Sequence, residues 1–161
     1  MKNKATIAEL IGLLHQESPA GFAIALHIRF SAPTFLFQSY PVAWSEEYTN
    51  KGLLMKDPTV AWGLTQTGAV RWSDLAEKDT AGVFEGARAH GLNYGVTIAI
   101  SSGGLRSVAS FVRSDREFTD EEIAAIRPLL AELHALTEGT DALSDEDREA
   151  LTEMSIRMTH S

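Results

Sequence analysis

Between residues 22 and 30 the chain alternates with period two: Phe22, Ile24, Leu26, Ile28 and Phe30 are large and apolar, while Ala23, Ala25, His27 and Arg29 stand between them. Successive side chains of a strand point to opposite faces of a sheet, so this run is a strand with one face that must leave water. Such a strand needs further strands beside it and a layer of helices over it. The chain supplies a helix at once. Ile7, Leu10, Ile11 and Leu14 fall at i, i+3, i+4 and i+7, one helical stripe within residues 6–16. The Ser18-Pro19-Ala20-Gly21 break separates the two periods, and Ser31-Ala32-Pro33 turns the chain into a second strand at residues 34–39.

Further on, Pro41 suits the first turn of a helix reaching about Lys51, with Gly52 as its stop. Asp57-Pro58 pairs an N-cap side chain with a proline at the first helical position, opening a short helix through Trp62. A strand at 70–72 precedes a helix at about 80–90, which Gly91 ends. Segments 94–101 and 106–114 flank Ser102-Gly103-Gly104 and read as a hairpin. Thr119 and Glu122 form a capping box. The helix they open carries Ile123, Ile126, Leu129, Leu130, Leu133 and Leu136 on one stripe, and Pro128 should bend it. A polar linker at 137–142 leads to Ser144 and Asp147, which start a last helix. This order predicts an α+β fold: an α-β-α sandwich with a central antiparallel sheet of about five strands, covered by helices on both faces.

Composition narrows the function. At 161 residues the chain is the size of one domain. No apolar run approaches the ~18 residues of a membrane span. The first residues, broken by Lys4, Glu9 and Gly12, do not form a secretory signal. There is no cysteine, so disulfides, thiolate zinc sites and cysteine nucleophiles are excluded. These features suit a cytoplasmic protein. With a net charge of −8 and its 14 basic residues scattered, the chain lacks the clustered cations that nucleic-acid binding requires. The five histidines do not gather, which argues against a metal, and the helix dipole accounts for His90 in a last helical turn. His27 falls on the polar face of its strand. Asp120, Glu121 and Glu122 make an acidic first turn of structural value. Neither a phosphate loop nor a G-x-S-x-G nucleophile elbow is present, and no catalytic residue is expected.

The most informative stretch runs from Tyr40 to Trp72. Tyr40, Trp44 and Tyr48 lie at successive i+4 spacings, on one helical face, followed by Asp57-Pro58-Thr59 and then Trp72. Taken singly, an aromatic stripe is core and an Asp-Pro pair is a helix cap. Together, Tyr40-Pro41, Trp44, Tyr48, Asp57-Pro58, Trp72 and Gly91-Leu92-Asn93-Tyr94-Gly95 resemble, in order and spacing, the autoinducer-binding domain of LuxR-type quorum-sensing regulators. The resemblance covers about residues 6–138. One departure is Ala99, where the family often has a proline; it alters an edge rather than a contact.

The resemblance implies a non-enzymatic receptor, without cofactor, that encloses an N-acyl homoserine lactone. The Trp44 indole N–H, a donor only, would meet the lactone carbonyl. Asp57 would take the amide N–H in a charge-assisted bond, supported by Thr59. Tyr40 and Ser110 would donate to the acyl carbonyl, and Tyr48, Trp72 and Phe84 would wall the ring and tail. Alternatives within the resemblance are a non-lactone signal, or a dimerisation module that inhibits a full-length regulator. Partners implied are a second copy, through the long helix after Thr119, or a full-length regulator. Residues 1–138 would form the binding domain and 139–161 a linker with a remnant of the first helix of a helix-turn-helix domain. With five acidic and two basic side chains, residues 143–161 have the wrong balance for a DNA surface. The chain is then either a piece of a longer regulator or a natural short form; the degenerate look of its closing residues favours the latter.

Overall fold

The computed structural model describes residues 6–29 and 32–138. Its elements are α1 (Ile7–Glu17), β1 (Gly21–Arg29), β2 (Ala32–Gln38), α2 (Val42–Asn50), α3 (Pro58–Thr65), β3 (Gly68–Arg71), α4 (Val83–Arg88), β4 (Tyr94–Ser102), β5 (Leu105–Arg113) and α5 (Asp120–Leu136). Two 3-10 turns, Leu53–Lys56 and Trp72–Lys78, flank α3 and β3. The strands form one five-stranded sheet in the order β2-β1-β5-β4-β3, every neighbouring pair antiparallel. The α+β sandwich expected from the sequence is the fold found.

Period-two patterning divides the molecule into two cores. Phe22, Ile24 and Leu26 of β1, Val96 and Ile98 of β4, and Ala109 and Phe111 of β5 point to one face. There Leu10, Ile11 and Leu14 of α1 meet Ile126, Leu130 and Leu133 of α5. Each such large side chain contributes roughly 1.5–3 kcal/mol on leaving water. Both helices start from reciprocal caps: Thr6 with Glu9, and Thr119 with Glu122. Helix α5 runs on through Pro128 without a break. The β4–β5 connection is a two-residue turn, Gly103-Gly104, with both φ angles positive (62° and 76°), the geometry that matches strand twist and that glycine tolerates.

The opposite face carries smaller side chains. Ala23 and Ala25 of β1, Gly95, Thr97 and Ala99 of β4, and Val108 and Ser110 of β5 alternate with the first set. Helices α2, α3 and α4 and the turns Leu53–Lys56 and Trp72–Lys78 lie over them, contributing Trp44, Leu53, Trp72, Leu75, Val83, Phe84 and Ala87 to the second core. Thus one face is filled by bulk from the strands, and the other by bulk from the helices above them.

His27 departs from the expectation. It is buried rather than on a polar face, because its φ of 53° breaks the alternation and brings its ring against His134 of α5, centroids 4.4 Å apart. The left-handed backbone costs on the order of 1–2 kcal/mol. It is held by the His27 amide donating to Ser107 Oγ (3.0 Å) and by His27 Nε2 lying 2.8 Å from Thr137 Oγ1. The last helix expected after Ser144, the linker before it, and the boundary at residue 139 lie outside the described residues.

Candidate functional site

Strand β2 ends at Gln38, and Ser39, Tyr40 and Pro41 carry the chain over the sheet edge into α2. Pro41 is the N-cap, so Tyr40 stands just before the helix rather than on its face, packed over Gly21. Trp44 and Tyr48 do share a helical face, with rings edge to face and centroids 5.8 Å apart. Close approach is built in beneath Trp44: a Cβ on Gly86 would lie 2.9 Å from the indole. Gly52, with φ at 63°, stops α2 and turns the chain back towards Asp57.

Asp57 is the electrostatic centre. Its Oδ1 accepts from the Thr59 amide (2.8 Å), capping α3, and from the Thr59 hydroxyl (2.7 Å). Its Oδ2 accepts from the Tyr48 hydroxyl (2.8 Å). Burial pushes the Asp57 carboxyl above the ordinary aspartate value, while Thr59 and Tyr48 pull against that rise by bonding the charged form. Burial, and then the nearby Asp57 charge, drive the Tyr40 and Tyr48 hydroxyls far above their ordinary value. Both phenols therefore keep their protons and are donors. Tyr48, expected as a wall, is also a hydrogen-bond partner of Asp57, and the Thr59 hydroxyl proton is already directed to that carboxylate.

Two donors remain. Among the described residues, neither the Trp44 indole N–H nor the Tyr40 hydroxyl has a hydrogen-bond partner, although Trp44 is only 3% exposed and Tyr40 packs in the same cluster. Trp44 also touches the His90 ring (centroids 5.6 Å apart), and His90 Nε2 lies 3.1 Å from Glu47 Oε1. His90 thus sits beyond the end of α4 and is placed by Glu47, not by a helix dipole as its sequence position implied. The His90 and Lys51 contacts hold the Glu47 carboxyl below its ordinary value.

Across the site, Trp72 opens a 3-10 turn rather than closing β3. Its ring stacks on Phe84 at 5.0 Å and lies so close over Gly95 that any Cβ there would collide with it. Phe84 is itself set by Asp79, whose carboxylate oxygens accept from the Val83 and Phe84 amides, each at 2.9 Å. The Trp72 N–H donates to Thr97 Oγ1 (3.0 Å), and Thr97 Oγ1 lies 2.7 Å from Ser110 Oγ. Tyr40, Trp44, Tyr48, Trp72 and Phe84 share the second core, Asp57 and Thr59 join it through Tyr48, and Ser110 joins it through Thr97. All eight residues singled out from the sequence therefore belong to one connected cluster of contacts. Sequence reasoning missed Thr97, Asp79 and Gly86, and named Gly95 in a motif without seeing that it lies under Trp72. Thr97 left one signal: it is the lone hydroxyl inside the apolar run 96–100.

The sheet floor extends outward from Ser110. Cross-strand register places Ala23 beside Ser110, and Ala25 beside both Val108 and Leu36. Ala23, Ala25 and Val108 stay half-buried in the middle of the sheet, and Leu36 is 39% exposed, whereas Phe22, Ile24 and Leu26 on the other face are fully buried. A shallow apolar strip thus leads from the polar cluster towards the β2 edge. Among the described residues, no group of three or more His, Asp or Glu is placed to hold a metal ion. No described helix is long and apolar enough to cross a membrane.

These features set donors and a carboxylate at one end of the sheet face and an apolar floor at the other. The family model of the autoinducer binding domain matches residues 22–138, and the chain belongs to that family of quorum-sensing, LuxR-type signal-binding domains. It is 30% identical over 146 residues to the transcriptional activator SolR of Ralstonia nicotianae, covering 81% of this chain and 62% of SolR. It is 33% identical over 95 residues to the transcriptional activator VanR of Vibrio anguillarum, covering 56% of this chain and 39% of VanR. The chain thus spans less than two thirds of the length of these relatives. Among solved structures it is similar to Escherichia coli SdiA, with a TM-score of 0.67 and 23% identity over 91% of this chain and 71% of that one. SdiA has also been solved in complex with octanoyl-rac-glycerol, where the likeness is again 0.67 in TM-score, at 21% identity over 91% of this chain and 69% of that one. The family is one of transcriptional regulators with a signal-binding domain, not of enzymes.

Proposed function

We propose that the signal is an N-acyl homoserine lactone, held without chemical change. The observation that carries this reading is the pair of unpartnered donors, the Trp44 N–H and the Tyr40 hydroxyl, standing beside a carboxylate that three protein donors hold in place. The lactone carbonyl takes the Trp44 N–H, and the acyl carbonyl takes Tyr40 and Ser110. The amide N–H goes to the remaining acceptor capacity of Asp57. Tyr48, Trp72 and Phe84 enclose the ring and the head of the chain, with Thr59 holding the carboxylate. The tail lies along Ala23, Ala25, Val108 and Leu36, where each methylene leaving water adds roughly 0.8 kcal/mol. A pocket lined with so many polar groups rejects molecules that leave them unpaired.

Thermal unfolding against lactones of graded acyl length tests this. A ligand at 100 times its dissociation constant adds about 2.7 kcal/mol of stability, so a chain-length-dependent rise in Tm is expected. A folded protein indifferent to every lactone refutes the proposal. A second reading, favoured by the SdiA complex with octanoyl-rac-glycerol, is an acylglycerol. An ester has no N–H, so an acylglycerol would engage Asp57 through a hydroxyl instead; the same screen run with monoacylglycerols separates the two. We place pairing with a second copy, or with a full-length regulator, on α5, whose outward stripe Ala124, Pro128, Ala131 and Ala135 is exposed. Sedimentation of an Ala131→Glu variant tests that assignment: it stays monomeric if α5 is the contact.

A further inference from the structure

Thr97 sits at the centre of β4, fully buried, paired across the sheet with Ser110 and roofed by Trp72. An indole nitrogen only donates, so Thr97 Oγ1 must accept the Trp72 proton at 3.0 Å. That leaves the threonine's own proton to be placed. Among the described residues its side chain has two hydrogen-bond partners, Trp72 and Ser110, and Trp72 offers no acceptor. A buried hydroxyl proton left unplaced is destabilising. The proton therefore goes to Ser110 Oγ, 2.7 Å away. Ser110 Oγ then accepts from Thr97, and its own proton is free for another acceptor on the sheet face that Trp72 covers.

We infer that Thr97 is a positioning residue that relays the polarity of Trp72 to Ser110 and makes Ser110 a committed donor, so that the site selects a ligand presenting an acceptor, not a donor, at that point. This rests on the lactone reading for the identity of the acceptor, the acyl carbonyl. Without the relay, a serine hydroxyl rotates freely and serves donors and acceptors alike. With it, the direction is set before the ligand arrives, two hydrogen bonds away from the Trp72 N–H that sets it.

Two experiments decide the matter. Neutron diffraction from deuterated, ligand-free crystals locates the deuterium between Thr97 and Ser110. Its bonding to Thr97 Oγ1 is the expected result, and its bonding to Ser110 Oγ overturns the inference whatever the ligand is. The second compares N-octanoyl homoserine lactone with its thioamide counterpart, a weaker acceptor of nearly the same shape, by tryptophan quenching. The unaltered protein should favour the amide by about tenfold, the value of one hydrogen bond. Ser110→Ala should lower that preference to the part that the Tyr40 hydroxyl alone supports. Thr97→Val should lower it as far, although Thr97 touches no ligand, and Thr97→Ser should restore it. Should Thr97→Val fail to fold, Trp72→Phe serves: it removes the N–H that starts the relay and frees Thr97 to accept from Ser110. A folded Thr97→Val or Trp72→Phe protein that keeps the tenfold preference overturns the inference. If the unaltered protein binds neither compound while the deuterium sits on Thr97, the lactone reading falls and the relay stands.

Discussion

Asp57 performs two tasks that substitution can pull apart. Its Oδ1 caps α3 through the Thr59 amide, and its Oδ2, shared with the Tyr48 hydroxyl, is the acceptor proposed for the ligand amide. Asp57→Asn keeps an oxygen for the cap and removes the charge. Little stability is at stake in that exchange, because the carboxylate is partly desolvated and its pKa is raised by burial; a change within about 1 kcal/mol is expected. Binding should suffer more. A hydrogen bond to a charged group is worth about 1.5–3 kcal/mol, so affinity should fall by about 10- to 150-fold. Asp57→Ala removes the cap as well, adding about 1 kcal/mol of destabilisation and leaving the Tyr48 hydroxyl and Thr59 amide without their acceptor. Urea denaturation gives the stability of each variant, and tryptophan quenching by a lactone gives its affinity. If Asp57→Asn binds the lactone as tightly as the unaltered protein, the amide does not meet Asp57 and the proposed orientation of the ligand is wrong. If Asp57→Ala matches Asp57→Asn in stability, the cap contributes nothing.

The same carboxyl predicts a pH dependence. Its folded-state pKa is raised, so its stabilising effect on the ligand-free protein is complete below the ordinary aspartate value of 3.8 and is lost as pH rises through the raised value. Ligand affinity runs the other way: it should weaken as pH falls through that raised value, and in Asp57→Asn this dependence should be flat, as titration of quenching against pH will show. Gly95→Ala should cost about 1–3 kcal/mol through overpacking against Trp72, and should shift the Trp72 indole resonance in a nitrogen–proton spectrum; an unmoved resonance contradicts the packing described. Glu122 offers a control with the opposite sign. The Arg116 guanidinium and the α5 cap hold its carboxyl at about 2, so its contribution is present above the ordinary value of 4.5 and lost as pH falls towards 2. Glu122→Gln should therefore cost about 1 kcal/mol at neutral pH, after solvent screening, and nothing near pH 2 by acid-dependent thermal melts.

What the sequence disclosed and what it hid follow from the range of the forces involved. Period two in residues 22–26, the capping box at Thr119 and the Gly103-Gly104 turn are local rules, and each of these formed where it was read, while Phe30 lies outside the described residues. The aromatic and acidic site residues were legible for a different reason: Tyr40, Trp44, Tyr48, Asp57 and Trp72 are spaced along one stretch that the fold wraps over a single sheet face. Roles that depend on distant partners were not legible. His27 keeps the strand alternation in sequence yet is turned by a positive φ towards His134, 107 positions away. His90 stands in sequence where a helix closes but answers to Glu47, on another one. Thr97 is the plainest case. Its hydroxyl acquires meaning only when β4 pairs with β5 and Trp72 closes over both, because the direction of a hydroxyl proton is fixed by the sum of its neighbours and by no property of threonine itself. In this fold the side chains proposed to meet the ligand advertise themselves by type and spacing, whereas those that orient them are small, buried and chosen by register. A site of this family read from sequence alone should thus name its contacts well and its tuning poorly, and the residues worth substituting first are the small polar ones on the sheet floor.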